Sequence, residues 1–460
     1  MIHLLIYTLL WFIILTYLGK YMYPETATIE IYQHKHWRPA GTLRPANPDQ
    51  GYRGECNFEY MLEYAIDYAN PESAPTAGLS CRYPVDFDLH HRDRWPAFIL
   101  DIMPSGYGRQ QWLEQLELND GPQSEWPLLM RGTAFPPGNL RIAEAVAAKD
   151  PSRKVLTRQG DLVSADQHPG FDRDDILTRN EFFIEYAYQL GIYAAGGSDV
   201  QGAAPKLLLA QDLQGNWHAE GVLPDDNILA HWLVKRPRGN TGADRQVLRN
   251  EASYMQVARI LGLNVYADLT WAENNLFIPR FDRRVHAGEY VERLGMESLC
   301  SLAGISGYGV PVPHDTLCKA IIQFCTNAQH DLLEYIKRDI ANVVMGNKDN
   351  HSRNTAVIRH ENDQVALAPL FDFAPMYLDP EGIARVCRWE GDAENAGRPD
   401  WATVIGRFRD DLHDPNQELR QFGQDIARLP DIMRKAGVDD SIIEQNAYSI
   451  EQNARQLITI

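Results

Sequence analysis

The sequence predicts an α+β protein, with a β-rich amino-terminal subdomain followed by two lobes, the second mostly helical. Three observations carry that expectation. Short strand-like runs alternate with turn signals through residues 27–130 and recur from 206 to 281. Apolar residues at helical spacing dominate beyond Arg284. Within that helical half, residues 355–358 and 365–370 read as a short hairpin flanked by Asp349 and Asp372. Strands first and helices after is the order of a segregated α+β chain.

Bulk composition bounds the function. A chain of 460 residues buries a sizeable core and divides into two or three domains. Apolar content of 44% and charged content of 23% are ordinary for a soluble globular protein. The formal charge of −18 disfavours unaided binding to nucleic acid, whose affinity rests on cationic contacts to phosphate. Such a role needs a local basic face or a basic partner. Six scattered cysteines with no Cys-x-x-Cys pair read as reduced, mostly buried thiols of a cytosolic protein. No period of about 20–50 residues repeats, which argues against solenoids and propellers.

Taken in order, the chain opens with a hydrophobic extension, residues 1–24. From 2 to 18 it holds no charged side chain unless His3 is protonated, and its length is at the lower limit for spanning a bilayer. Neither a basic start nor a small-residue cleavage site marks a secretory signal. Two readings stand: a membrane anchor with the rest of the chain in the cytoplasm, or an extension created by a start codon placed too far upstream. Residues 25–130 form the amino-terminal subdomain, punctuated by Asn47-Pro48 and Asn70-Pro71 and ending in a helix near 110–118. Residues 131–180, rich in Pro, Gly, Asp and Arg, read as a partly mobile connector with one helix near 142–148. In the first lobe, 181–283, helical stretches are expected at 182–193 and 249–261. Its strands are expected at 206–211, 231–235, 265–271 and 276–281. The second lobe, 284–460, is expected to be almost wholly helical, at 296–304, 316–326, 331–345 and from 419 to the end.

Chemistry concentrates in Asp349-Asn350-His351-Ser352-Arg353-Asn354 and in Phe371-Asp372. Asp349 and Asn354 stand five positions apart, and Asp372 follows the hairpin. Protein kinases use this spacing. A loop aspartate accepts the proton of the attacking hydroxyl, an asparagine five residues on holds magnesium, and a later aspartate holds magnesium against the phosphates. Upstream, Gly196-Gly197-Ser198-Asp199-Val200-Gln201-Gly202-Ala203-Ala204-Pro205-Lys206 sets small residues before a lysine at a strand start. Such a turn lets backbone amides approach phosphate, although it is equally a structural device. Lys235 ends an apolar strand, and Glu251 lies on the following helix; the two read either as solvated charges or as a phosphate-binding lysine and its holder. Arg280-Phe281-Asp282-Arg283-Arg284 is a charged strand exit or a linker whose backbone meets an adenine edge. His91-Arg92-Asp93 imitates a kinase catalytic triplet, but Phe98 stands where an asparagine is required, so a solvated turn is the better reading. Asp349, His351 and Asp372 could serve a metal hydrolase, but the second histidine usual in such sites is missing.

Together these residues resemble the HipA family of bacterial serine/threonine kinases, the toxin halves of toxin–antitoxin pairs. The likeness runs from about Ile29 into the 390s. It takes in Met103-Pro104-Ser105-Gly106, Gly202 to Lys206, Lys235-Arg236-Pro237, Asn250-Glu251, Arg280 to Arg283 and, above all, Asp349-x-His351-x-x-Asn354 with Phe371-Asp372. The resemblance implies a two-lobed, protein-kinase-like fold with a HipA-type amino-terminal subdomain, and ATP and Mg2+ as cofactors. Asp349 would be the catalytic base, with His351 in the catalytic loop and Asn354 and Asp372 holding magnesium. Gln201, Gly202, Ala203, Ala204, Pro205 and Lys206 would form the phosphate-facing loop, with Lys235 on the nucleotide phosphates. Pro279, Arg280 and Phe281 would line the adenine. The implied partners are a protein substrate, an aminoacyl-tRNA synthetase among family targets, whose phosphorylation arrests growth, and a helix-turn-helix antitoxin. Nucleic acid would be met only through that antitoxin.

The departures from the family pattern are specific. Many relatives carry a serine seven positions before the loop lysine, and its autophosphorylation silences them; here Asp199 stands there with Ser198 beside it. Either Ser198 takes the role, or Asp199 imitates a phosphoserine, or this control is absent. Pro279 occupies a position that is often glutamate and offers a carbonyl but no N–H. The connector is long, and the hydrophobic start is foreign to the family. Two other readings stand beside the protein kinase: a regulator that keeps the fold and does no chemistry, and a small-molecule phosphotransferase of the aminoglycoside or choline kinase kind.

Overall fold

A five-stranded antiparallel sheet opens the chain: β1 (Ala27–Gln33), β2 (His36–Pro45), β3 (Cys56–Tyr60), β4 (His90–Arg92) and β5 (Leu140–Ile142), in the order β4-β3-β2-β1-β5. The computed structural model describes residues 23–69, 77–192, 204–239, 241–360, 363–379 and 382–460. Period-two alternation buries Ala27, Ile29 and Ile31 in one core with Phe58, Trp95 and Leu128. Helix α1 (Ala97–Ile102) packs into that core through Phe98, Ile99 and Ile102. The helix expected near 110–118 runs Gly106–Gln115. His91 and Arg92 lie on the exposed edge strand β4 rather than in a turn.

Residues 131–180 are built into two cores. Strand β5 closes the first sheet against β1, and the helix Ala143–Ala147 follows it. The hairpin β6 (Lys154–Leu156) and β7 (Leu162–Ser164) and the helix Arg173–Thr178 lead to the second sheet, where Phe171 bridges Trp217. Val155, Phe171 and Ile176 are buried with Phe183, Leu209 and Phe277.

The second sheet holds β8 (Lys206–Asp212), β9 (Trp217–Ala219), β10 (Ile228–Lys235), β11 (Thr270–Ala272) and β12 (Asn275–Pro279), in the order β11-β12-β10-β8-β9. The strand expected at 265–271 is therefore mostly absent; only Thr270 and Trp271 of it lie in β11, and Tyr266 and Leu269 border the cleft instead. Helix α2 (Gly242–Ile260) starts on a capping box, in which Thr241 Oγ1 accepts from Asp244 N at 3.1 Å and Asp244 Oδ2 accepts from Thr241 N at 3.0 Å.

The almost wholly helical second lobe needs correction. A hairpin of β13 (Arg283–His286) and β14 (Tyr290–Arg293) opens it, and β15 (Gly295–Ser298) joins β16 (Ala356–Arg359) and β17 (Val365–Leu367) in a three-stranded sheet. The expected helix at 296–304 is a strand plus the single turn Leu299–Leu302. Its apolar run is too short to prefer a helix, and pairing of Ser298 with Ala356 decides the matter. Helices α3 (His314–Phe324) and α4 (Ala328–Val344) follow, and the tail carries Asn416–Ala427, Leu429–Lys435 and Asp440–Thr459. Leu332, Ile336 and Ile340 of α4 are buried with Trp401, Leu419 and Leu457. Gly346 then turns the chain out of α4 at φ +69°, and a Cβ there would meet the Tyr377 ring at 2.8 Å. That turn starts the Asp349 loop.

All six cysteines are free thiols, five of them buried. Among the described residues no helix is long and apolar enough to cross a membrane; residues 2–18 lie outside them.

Beneath the Asp349 loop, His314 is fully enclosed. Its Nδ1 lies 2.6 Å from Tyr335 Oη, and its Nε2 receives hydrogen bonds from Arg385 at 3.1 Å and Asn350 at 3.3 Å. Burial, chiefly, pulls its pKa down to about 4, Asp339 opposing and Arg385 reinforcing the fall. An imidazole held neutral by the fold binds a proton more readily once unfolded. Its contribution is thus intact above about pH 6.5 and lost as pH falls toward 4. Thermal melts across that range should show the loss, reduced in His314→Gln; a wild-type melting temperature flat from pH 7 to 4 would count against it.

Candidate active site

A cleft of about 1250 Å3 lies under the second sheet, between the lobes. Cross-strand register builds its roof. Leu208 pairs with Leu233 and Leu233 with Ile278, and all three line the cleft as one aliphatic row. Two residues along the same face, Lys206 pairs with Lys235. Two ammonium groups directly opposite each other repel, so this register requires acids nearby. Asp372 and Glu251 supply them. Lys235 Nζ donates to Glu251 Oε1 at 2.6 Å and to Asp372 Oδ1, and Lys206 Nζ lies 3.6 Å from Asp372 Oδ2.

Tyr266, Leu269, Leu370 and Phe371 also line the cleft, with Pro279, Arg280 and Phe281 along it. The Phe281 ring centroid is 5.8 Å from that of Phe371 and 6.5 Å from that of Tyr266. Arg280 borders the cleft, but its guanidinium is taken up by Asp282 at 2.6 Å and Glu220 at 3.3 Å. That buried network extends to the connector, where Asp282 Oδ2 accepts from Gly138 N at 2.8 Å and Arg283 donates to Gly138 O at 2.7 Å.

At the lysine end a second cavity, about 700 Å3, is bordered by Ala204, Lys206, Lys235, Asp349 and Asp372. Asp349 and Asp372 therefore face one space. Asn354 Nδ2 donates to Asp349 O at 2.7 Å, tying the loop across its five-residue span, while Asn354 Oδ1 is buried with no hydrogen-bond partner among the described residues. His351 Nε2 stands 3.6 Å from Asp349 Oδ1. Asp372 has φ +53°, a left-handed conformation that aspartate tolerates better than most residues and that often accompanies a functional constraint.

Charge follows from this geometry. Burial alone would raise the Asp372 carboxyl, but Lys206 and Lys235 outweigh it and hold the group well below the ordinary carboxylate range. Burial likewise pushes Glu251 up, and Lys235 only partly offsets it. Lys235 stays protonated because Asp372 and Glu251 overcome its own desolvation. Burial is also the chief influence on Asp349 and carries it above the ordinary range; His351 and the two lysines oppose the rise, and Asp372 adds to it.

Several residues that shape the site escaped the sequence reading. Asn347 Oδ1 accepts from Asp349 N at 3.3 Å, and Asn350 Nδ2 donates to Asp339 Oδ1 at 3.3 Å, anchoring the loop on α4. The density of asparagine in 347–354 was a usable signal for both. Arg353 pairs with Asp101, 252 positions away, and no sequence signal links them. Burial, chiefly, pushes Asp101 up to about 6 against the pull of Arg353. Gln201, Gly202 and Ala203, with Ser198 and Asp199, lie outside the described residues.

The family model described as the HipA-like C-terminal domain matches residues 198–434, over half of the 460. The chain belongs to the HipA family. HipA of Shewanella oneidensis MR-1, solved as a toxin–antitoxin complex with HipB and operator DNA, aligns over 94% of this chain and 96% of its own. At a TM-score of 0.61 and 18% identity, that match shows a HipA fold along the chain, amino-terminal subdomain included. Y4mE of Sinorhizobium fredii (strain NBRC 101917 / NGR234), a protein named as a candidate kinase, is 26% identical over 141 residues. That match covers 29% of this chain and 33% of Y4mE, so the chain spans about a third of this relative's length. The Helicobacter pylori proinflammatory kinase CtkA overlaps 50% of this HipA-family chain and 91% of its own at 14% identity and a TM-score of 0.32, too loosely to bear on the fold.

Proposed function

We propose that this HipA-family chain is an ATP- and magnesium-dependent protein serine/threonine kinase. One observation carries the reading: the aliphatic row Leu208–Leu233–Ile278 ends in the opposed pair Lys206 and Lys235, beside the Asp349 loop. An apolar slot with a cationic end accepts a flat heterocycle and its polyphosphate. Lys206 and Lys235 neutralise the phosphates, and Glu251 holds Lys235 in place. Asp349 accepts the proton of the acceptor hydroxyl, a task suited to a carboxylate of raised proton affinity. Asn354 Oδ1, without a hydrogen-bond partner among the described residues, and the Asp372 carboxylate are hard oxygen donors that fit magnesium. When bound, the ion supplies further neutralisation of phosphate charge.

By analogy with the Shewanella complex, the partner would be a DNA-binding antitoxin, and the formal charge of −18 leaves the DNA contacts to it. Residues 2–18 would add a membrane only if they are an anchor. Purified chain with Mg2+ and γ-labelled ATP, alone and with a cell lysate, tests the activity. Label on serine or threonine of a protein supports the proposal. ADP release that depends on an added metabolite, with no protein labelled, would indicate a small-molecule phosphotransferase. No ATP consumption under any condition would leave a binding module.

A further inference from the structure

We infer that Asp101, on α1 of the amino-terminal subdomain, is a positioning residue for the Asp349 loop and acts through Arg353. While its neighbours Leu100 and Ile102 enter the first core, Asp101 reaches into the second lobe. Oδ1 accepts from Ser298 Oγ at 2.7 Å and from Arg353 Nη1, and Oδ2 accepts from Ser298 N at 2.9 Å. Arg353 also donates through Nη2 to Gly307 O at 3.0 Å, with its guanidinium 5.2 Å from the Tyr308 ring centroid. Its backbone N–H reaches His351 Nδ1 at 3.3 Å. The next residue is Asn354, tied back to Asp349 O at 2.7 Å. The carboxylate thus grips the side chain immediately before the loop asparagine, two positions after the loop histidine. Leu100, Asp101, Ser105 and Arg353 themselves line the cleft.

Docking of the subdomain does not depend on this grip. Glu297 Oε1 accepts from Ser80 Oγ at 2.6 Å and Oε2 from Cys81 N at 2.9 Å, and Arg359 donates to Gly78 O and to Leu79 O at 3.3 Å. Loss of Asp101 should therefore loosen the loop and leave the subdomain seated.

The kinetic arm of the test rests on the kinase reading; the exchange arm does not. Asp101→Asn, Arg353→Gln and the double variant of the full chain are compared with wild type by hydrogen exchange, thermal melting and steady-state kinetics. Each single variant should speed amide exchange in 347–356, leave exchange in 27–60 unchanged, and lower kcat on the order of ten-fold or more with ATP KM within about two-fold. The double variant should be no worse than the worse single. Wild-type exchange in the 347–356 segment of Asp101→Asn would overturn the inference. So would faster exchange spread through the whole amino-terminal subdomain, which would assign Asp101 to docking alone. If wild type itself transfers no phosphate, the kinase reading fails, and exchange still decides the role of Asp101.

Discussion

Asp349→Ala should abolish phosphate transfer, a loss of about 10²–10⁴-fold, while nucleotide binding stays near wild type. The asymmetry follows from position. Asp349 borders the cavity at the lysine end but takes no part in the hydrogen-bonded Lys235–Asp372–Glu251 cluster, so its removal leaves the cationic end of the slot intact. Its carboxylate must be ionised to accept a proton. Because burial raises its pKa, wild-type transfer should be lost as pH falls through that elevated value, above where an exposed aspartate titrates. Single-turnover labelling and ATP titration of the two purified proteins measure both quantities. Labelling by Asp349→Ala as fast as wild type would remove the assignment.

Lys235→Met should have the largest effect on stability. The substitution leaves the buried Glu251 and the half-buried Asp372 without the ammonium that links them, a kind of loss that costs up to about 3–5 kcal/mol. It should also weaken nucleotide binding sharply. The sign of the pH dependence separates this cause from simple misfolding. In wild type Asp372 is depressed below its unfolded value, so its contribution is present above the ordinary aspartate pKa and lost only as pH falls through the lower folded value. Without Lys235, the enclosed carboxylates are pushed upward, and protonation relieves them. The melting-temperature gap between variant and wild type should therefore narrow from pH 7 to pH 5. A gap that widens on acidification would mean that Lys235 is not the charge partner of these acids.

Legibility in the sequence tracked contact distance along the chain. Asp349 and Asn354 belong to one loop, so their spacing reports their geometry directly, and the backbone tie between them is local. Lys235 and Glu251 stayed open between solvated charges and a pair, because only packing of the helix Gly242–Ile260 against the strand end brings Glu251 to 2.6 Å from Lys235. Less could be read where elements were short. Of the 296–304 stretch only 296–298 became strand, within β15, because an edge of β16 was available to pair with it, and the helix shrank to the turn Leu299–Leu302.

By itself the sequence determined the family pattern, the α+β order and the loop whose chemistry depends on residue spacing. Only the tertiary structure decided that Lys206 and Lys235 share one rung, that Asp372 lies between them, and that Asp101 reaches Arg353 from another subdomain. It also decided which carboxylates shift and in which direction. Spacing is a property of the covalent chain, whereas cross-strand register, long-range ion pairs and desolvation exist only once distant segments have excluded water together.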